Sequence, residues 1–207
     1  MINQTMKISM RKIFFLMMFG CIFFACKSEN TNGDAAVEPQ YQASVSVHRT
    51  YSGSELKGII ESVCTENDTV GHKILKGIEK YAVVLRDTAQ VKEYIEKNAA
   101  FEKAVECDFL SIGGDYSLVV YDAEPMMAET VLMTAEPVDM MDDQMASFQF
   151  ADAAKWEKIT SESLGRSLAV LVNGKLKSAP VVQSPITEGR CSIFLSADDL
   201  EACKITK

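Results

Sequence analysis

Leu168-Ala169-Val170-Leu171-Val172-Asn173-Gly174-Lys175-Leu176-Lys177-Ser178-Ala179-Pro180-Val181-Val182 sets the architecture of this chain. Five aliphatic residues in unbroken succession are typical of a central strand. Asn173-Gly174 then supplies two residues that tolerate positive φ, as a two-residue hairpin turn requires. The chain returns over Lys175 to Val182, and Pro180, which has no N–H to donate, assigns that strand to an edge or a bulge.

Reading outward, Arg190 to Leu195 predicts another strand, and Ser196 caps a last short helix ending near Lys204. Upstream, Ala153, Trp156 and Ile159 share one face of a helix ending near Thr160, with Trp156 in the core. Thr160 is expected to cap a new helix begun by Ser161-Glu162-Ser163. Ser147 to Phe150 reads as a short strand. Asp108 to Ile112 and Tyr116 to Tyr121 read as strands joined by the Gly113-Gly114-Asp115 turn. Ala99 to Val105 is expected to be helical. Val91, Tyr94 and Ile95 form the apolar face of a helix capped by Asp87, and Tyr81 to Leu85 is a buried-strand run. Val45 and Val47 alternate with serines as in a strand, Ser54 to Cys64 has helical spacing, and Thr65 to Gly71 is a polar loop. Strands and helices interleave irregularly with hairpins. The fold class is therefore α+β, a mixed or antiparallel sheet with packed helices, in one domain over residues 43–207.

The N-terminus carries a different message. Lys7, Arg11 and Lys12 precede an apolar run from Ile13 to Ala25. Its 13 residues suit an export signal and fall short of the ~18–20 that span a bilayer. Phe23-Phe24-Ala25-Cys26 resembles a lipobox, so residues 1–25 read as a signal peptide and Cys26 as the lipidated residue. Met18-Phe19-Gly20-Cys21 is a rival site, but cleavage there leaves Ile22, Phe23 and Phe24 on the mature N-terminus and a seven-residue apolar core. Residues 26–42, rich in Ser, Asn, Gly and Asp, make a flexible linker. Lys27, following the lipidated cysteine, favours sorting to the outer membrane.

Charge and residue inventory narrow the function. The chain of 207 residues has a net charge of -8; without its three N-terminal cations it holds 18 positive and 29 negative residues, a net of -11. Such a surface repels phosphate backbones, which argues against a nucleic-acid partner. His48 and His72 stand near no nucleophile elbow, no phosphate loop is present, and both histidines read as exposed surface residues. No catalytic residue, cofactor or metal is assigned. Asp139, Asp142 and Asp143 lack the glycine and terminal Glu of an EF-hand and read as a solvated acidic face. Cys64, Cys107, Cys191 and Cys203 show no zinc-like pairing; three disulfide connectivities and buried free thiols all remain open, Cys191–Cys203 closing the shortest loop. Six methionines, Met126, Met127, Met133, Met140, Met141 and Met145, fall within 20 residues. They serve as core filler, as a pliable partner-binding surface of Met126, Met127, Met140 and Met141, or, in an alternative metal- or ligand-binding lipoprotein, as soft thioethers for copper.

Residues 153–166, the strand and Asn173-Gly174 turn, Ser178-Ala179-Pro180-Val181-Val182 and Ile186-Thr187-Glu188-Gly189-Arg190 together resemble, in order and spacing, the head part of the first periplasmic domain of SecD and SecDF proteins. Asp87 to Ile95 is similar to the helix entering that region, so the likeness covers about residues 80–201. Ser163, Asn173 and Glu188 depart from the family's Asn, Asp and Gly. In the family the head is followed by a membrane bundle that couples proton flow to transport, which is missing from the sequence up to Lys207. The resemblance implies a detached, non-enzymatic head on a lipid tether in the cell envelope, an export accessory that binds polypeptide or a Sec-type translocase component. Mass spectrometry of the N-terminal fragment should find acyl chains on Cys26, and Cys26→Ala should release the protein from membranes. An unmodified mature N-terminus elsewhere would contradict this.

Overall fold

The computed structural model describes residues 41–79, 88–98, 100–112, 115–139 and 142–205. Eight strands and five helices are defined within them. These are β1 (Tyr41–Arg49), α1 (Gly53–Val63), α2 (Thr69–Glu79), α3 (Thr88–Asn98), β2 (Val105–Ile112), β3 (Asp115–Asp122), β4 (Met127–Pro137), β5 (Gln144–Gln149), α4 (Ala153–Glu162), β6 (Leu168–Val172), β7 (Lys175–Ser178), β8 (Arg190–Leu195) and α5 (Ala197–Glu201). The signal peptide, Cys26, most of the linker, the expected strand at 81–85, the Asp87 cap, Gly113-Gly114, and Met140 and Met141 lie outside the described residues.

Strand β1 is inner and joins two hairpins. It pairs antiparallel with β4 from Tyr41↔Met133 to Val47↔Met127, and with β6 from Val45↔Val172 to Arg49↔Leu168. The result is a six-stranded antiparallel sheet in the order β7-β6-β1-β4-β5-β8. The period-two pattern of β1 puts Ala43, Val45 and Val47 on the inner face, all at most 3% exposed. There they meet Val131, Met133, Phe148, Val170 and Ile193, while α4 adds Trp156 and Ile159, and α5 adds Leu200. Trp156 is fully buried, its ring 5.0 Å from that of Phe150. The sheet curls around these helices until Lys177 of β7 reaches Asp199 of α5 at 2.6 Å.

The Asn173-Gly174 turn takes positive φ at both positions (49° and 75°); β7 lies at the sheet edge, with a register shift at Val170/Leu171, but ends at Ser178, short of Pro180 and of the expected Val182. Asn173 also ties the turn to β1: its N–H donates to Ser44 O at 2.8 Å and its Oδ1 accepts from Ser44 N at 3.0 Å. Two expectations fail here. Thr160 does not cap a new helix, because α4 continues to Glu162 and Thr160 is buried inside it. Its hydroxyl donates to Trp156 O (3.0 Å) and accepts from Ile186 N (3.0 Å), fastening the 180–190 loop to the helix. Residues 100–105 are not helical either: β2 begins at Val105, and Phe101 packs edge-on against Tyr51 at 5.0 Å.

A second layer covers part of the outer face. The β2–β3 hairpin lays Val119 and Tyr121 on Ala169, Leu171 and Leu176. Its opposite face, with Cys107 and Val120, receives Leu56 and Ile60 of α1, Ile74 of α2, and Val91, Tyr94 and Ile95 of α3. Helix α2, expected to be loop at its start, sits where Asp68 gathers donors: Gly71 N (2.9 Å) and Tyr94 Oη (2.6 Å) both donate to its carboxylate. A Cβ on Gly71 would lie 2.6 Å from Asp68 Oδ2, 2.7 Å from Tyr94 Oη and 2.8 Å from Cys64 Sγ, so only glycine lets the three groups meet. The Tyr94 hydrogen bond, first among several donors, holds the Asp68 carboxyl below its ordinary value.

A depressed carboxyl stabilises the fold above the unfolded-state value, about 3.9, and loses that contribution as pH falls through the lower folded value. Tyr94→Phe should therefore destabilise the protein by about 1 kcal/mol near neutral pH. In denaturant titrations at descending pH, the gap to wild type should close below about pH 4. A gap that persists unchanged at pH 2 would show that Asp68 is not its source.

Candidate partner-binding surface

The β2–β3 layer stops at β1, and among the described residues nothing packs on the outer face of β4, β5 and β8. Register fixes what that face shows. Glu136, Met145 and Phe194 share one level across the three strands, then Thr134, Ser147 and Ser192, then Leu132, Gln149 and Arg190. Leu132 is 54% exposed, Met145 36% and Phe194 37%; they are three of five exposed large hydrophobic residues among the described ones. The hydroxyls of Ser147 and Ser192 are 3.0 Å apart. Charge is confined to Glu136 and Arg190, on opposite sides of the hydroxyl row, in a chain that is 24% charged. Loss of charge with retained apolar groups marks the centre of interfaces more than ordinary surface.

Of the methionine cluster, the described residues include Met126, Met127, Met133 and Met145. Met127 is 2% exposed and Met133 fully buried, both in the sheet's core, and Met126 is half-buried against it. Met127 opens β4. Of these four described methionines, Met145 is the one displayed on the bare face.

His48 corrects a second expectation, because it is buried rather than exposed. Its Nδ1 donates to the Asp122 carbonyl at 2.8 Å, Nε2 lies 2.9 Å from Ser46 Oγ, and its ring stacks edge-on with Tyr121 at 5.3 Å. The Asp122 carboxylate accepts from Tyr51 Oη at 2.8 Å, and burial together with that bond pushes the Tyr51 phenol up to about 12. Arg49 and Arg166 both reach Glu55 (3.1 and 3.3 Å). These groups cross-brace the two layers. His72 is exposed, with Nδ1 3.8 Å from Cys64 Sγ.

All four described cysteines are free thiols. Burial pushes Cys107 up to about 12 and raises Cys191 and Cys203 as well; burial and the neighbouring Asp68 raise Cys64. Protonated thiols of this kind are poor nucleophiles and poor metal ligands. Asp139, Asp142 and Asp143 are exposed around the β4–β5 connection, and the described residues hold no group of three or more metal-ligating side chains placed to bind an ion.

Residues 118–206 match the family model described as SecDF, P1 head subdomain. The chain carries a SecD P1 head-like domain. Over 114 residues it is 29% identical to protein translocase subunit SecD of Acidaminococcus fermentans, covering 54% of this chain and 25% of that protein. Over 57 residues it is 40% identical to protein translocase subunit SecD of Sebaldella termitidis, covering 27% and 14%. The matched stretches thus span a quarter or less of these relatives. A solved structure of SecDF, described as a membrane component that enhances protein export, is similar at a TM-score of 0.37 and 19% identity over 84% of this chain and 67% of that one. The head-like match starts within β3 and takes in β4 to α5, so the inner strand β1 lies upstream of it. No described helix is long and apolar enough to cross a membrane.

Proposed function

We propose that this protein is a lipid-anchored, non-enzymatic accessory of protein export in the cell envelope. Its SecD head-like domain docks polypeptide or a translocase component through the bare β4–β5–β8 face. The lipid on Cys26 holds it at a membrane, the outer membrane being favoured by Lys27. The observation that carries the reading is the coincidence of the head-like match over residues 118–206 with a sheet face that is apolar, uncharged at its centre and uncovered. Extended polypeptide presents backbone and mixed side chains, and a face of hydroxyls flanked by Leu132, Met145 and Phe194 accepts both without selecting one sequence.

A photo-crosslinking amino acid placed at Leu132 in the full chain tests this in intact cells. It should capture an exported polypeptide or a translocase component, whereas the same group at Lys158, exposed on α4, should not. Equal labelling from both positions, or capture of nothing from Leu132 in correctly exported protein, would overturn the proposal.

A further inference from the structure

We propose that β8 is a docking edge, on which an extended stretch of polypeptide adds as a further strand beside the bare face. The inference rests on the preceding reading only for the partner being polypeptide, and it adds how that chain is held.

Strand β8 ends the six-stranded sheet, and among the described residues no strand pairs with its far side. Its ladder to β5 shows which backbone groups that side carries. Phe150 N donates to Gly189 O at 3.0 Å, and along an antiparallel ladder such hydrogen-bonded pairs alternate with pairs that exchange none. Cys191, Ile193 and Leu195, opposite Phe148, Ala146 and Gln144, therefore turn their N–H and C=O groups to β5. Arg190, Ser192 and Phe194 turn theirs away from it. All three residues are exposed, and among the described residues no backbone partner meets those groups.

An open strand edge pairs with an extended chain that meets it unless something blunts the edge. At the other end of the sheet β7 is blunted: it is four residues long, it carries Lys175 and Lys177, and its ladder holds a register shift. In the hairpin layer Tyr51 N bonds Val120 O of β3 at 3.0 Å, while β2 carries Glu106 and Asp108, and the Asp108 carboxylate accepts from Phe109 N at 2.8 Å. Strand β8 has none of these devices. It contains no lysine and no proline, and its register with β5 runs unbroken. Its one charged residue, Arg190, stands at the start and is held by Glu188 at 3.1 Å.

Backbone N–H and C=O groups alternating along a strand are matched by the backbone of another extended chain, whatever its sequence. The outward groups of Arg190, Ser192 and Phe194 span about 14 Å, enough to hold about five residues reversibly and short of what a stable dimer buries. A side chain of the added strand set beside Phe194 continues the Met145–Phe194 row, so an apolar residue is favoured there. One set beside Ser192 meets a hydroxyl and is unrestricted. The edge thus holds many sequences through their backbones and prefers those with alternating apolar residues.

Hydrogen exchange of individual amides, followed by NMR on the full lipidated chain in detergent, tests this. The probe is a soluble peptide of alternating threonine and valine with a lysine at each end. In the free protein the Ser192 and Phe194 amides should exchange fast and those of Cys191 and Ile193 slowly. Saturating peptide should slow Ser192 and Phe194 by at least about tenfold, and a peptide with proline at alternate positions should not. Ser192→Pro removes one outward N–H and spares the ladder to β5, so it should weaken the peptide about tenfold, whereas Ser192→Thr should bind as wild type. The exchange result on the unaltered chain decides even where the proline variant fails to fold. Ser192 and Phe194 amides already protected in dilute free protein, or peptide binding that leaves them fast, would overturn the inference. Protection that instead grows with protein concentration, without peptide, would place a second copy on the edge and overturn it too. Unprotected edge amides alongside capture of export partners from Leu132 would sink this inference alone. Peptide protection without any such capture would sink the proposed function alone.

Discussion

The pairing of β1 between β6 and β4 is the contact on which the rest of the molecule depends. Without it the sheet falls into a β6–β7 hairpin and a β4–β5–β8 set that share no backbone hydrogen bonds. β1 also contributes Ala43, Val45 and Val47 to the inner core and His48 to the layer above, so that, like β6, it carries buried groups on both sides of the sheet. Its sequence suits this double duty: small aliphatic residues (Ala43, Val45 and Val47) inward, serines and a hydrogen-bonded imidazole outward. A two-stranded hairpin is marginal alone, and neither fragment could bury a sufficient face. That the strand comes from residues 41–49, upstream of the head-like stretch at 118–206, makes the N-terminal part integral to the domain and not an appendage.

From this arrangement follows the division of the outer face. Past Arg49 the chain turns at Thr50, whose hydroxyl donates to Ser167 O at 2.7 Å, and Tyr51 N bonds Val120 O at 3.0 Å. Those bonds seat the β2–β3 hairpin and its three helices over β6 and β7. Glu55, gripped by Arg49 and Arg166, locks the same corner. The layer is thus pinned to one half of the sheet, leaving β4, β5 and β8 to present Leu132, Met145 and Phe194 among hydroxyls. The uncovered half is a consequence of where the upper layer is fastened.

Several parts of this were legible in the residues. The aliphatic run and Asn173-Gly174 marked β6, its turn and an edge β7, because positive φ and a missing Pro N–H are local demands that no tertiary context removes. The α1 and α4 faces followed from spacing, and Trp156 from its place on one of them. Strand β4 was hidden: its alternation is broken by Glu129, which turns inward to accept from Ala151 N at 2.8 Å, and by Leu132, which turns outward. Its methionines consequently drew attention as sulfur chemistry when Met127 and Met133 are core. Helix α2 was masked by Gly71, a helix-weakening residue required by the close meeting of Asp68, Tyr94 and Cys64. The burial of His48 and the internal role of Thr160 depend on partners 74 and 26 residues away, which no local pattern reports. The bare face is illegible for the same reason, since it is defined by where the β2–β3 layer ends.

The most direct measurement compares denaturant unfolding of two N-terminal truncations that differ by β1 alone. A chain lacking residues 1–40 should unfold in one cooperative transition. A chain lacking residues 1–49 should show none, and a peptide of residues 41–50 added in trans should restore it in a concentration-dependent way. A cooperative transition of undiminished stability in the chain without β1 would contradict the account, because the two halves of the sheet would then hold together without the strand between them.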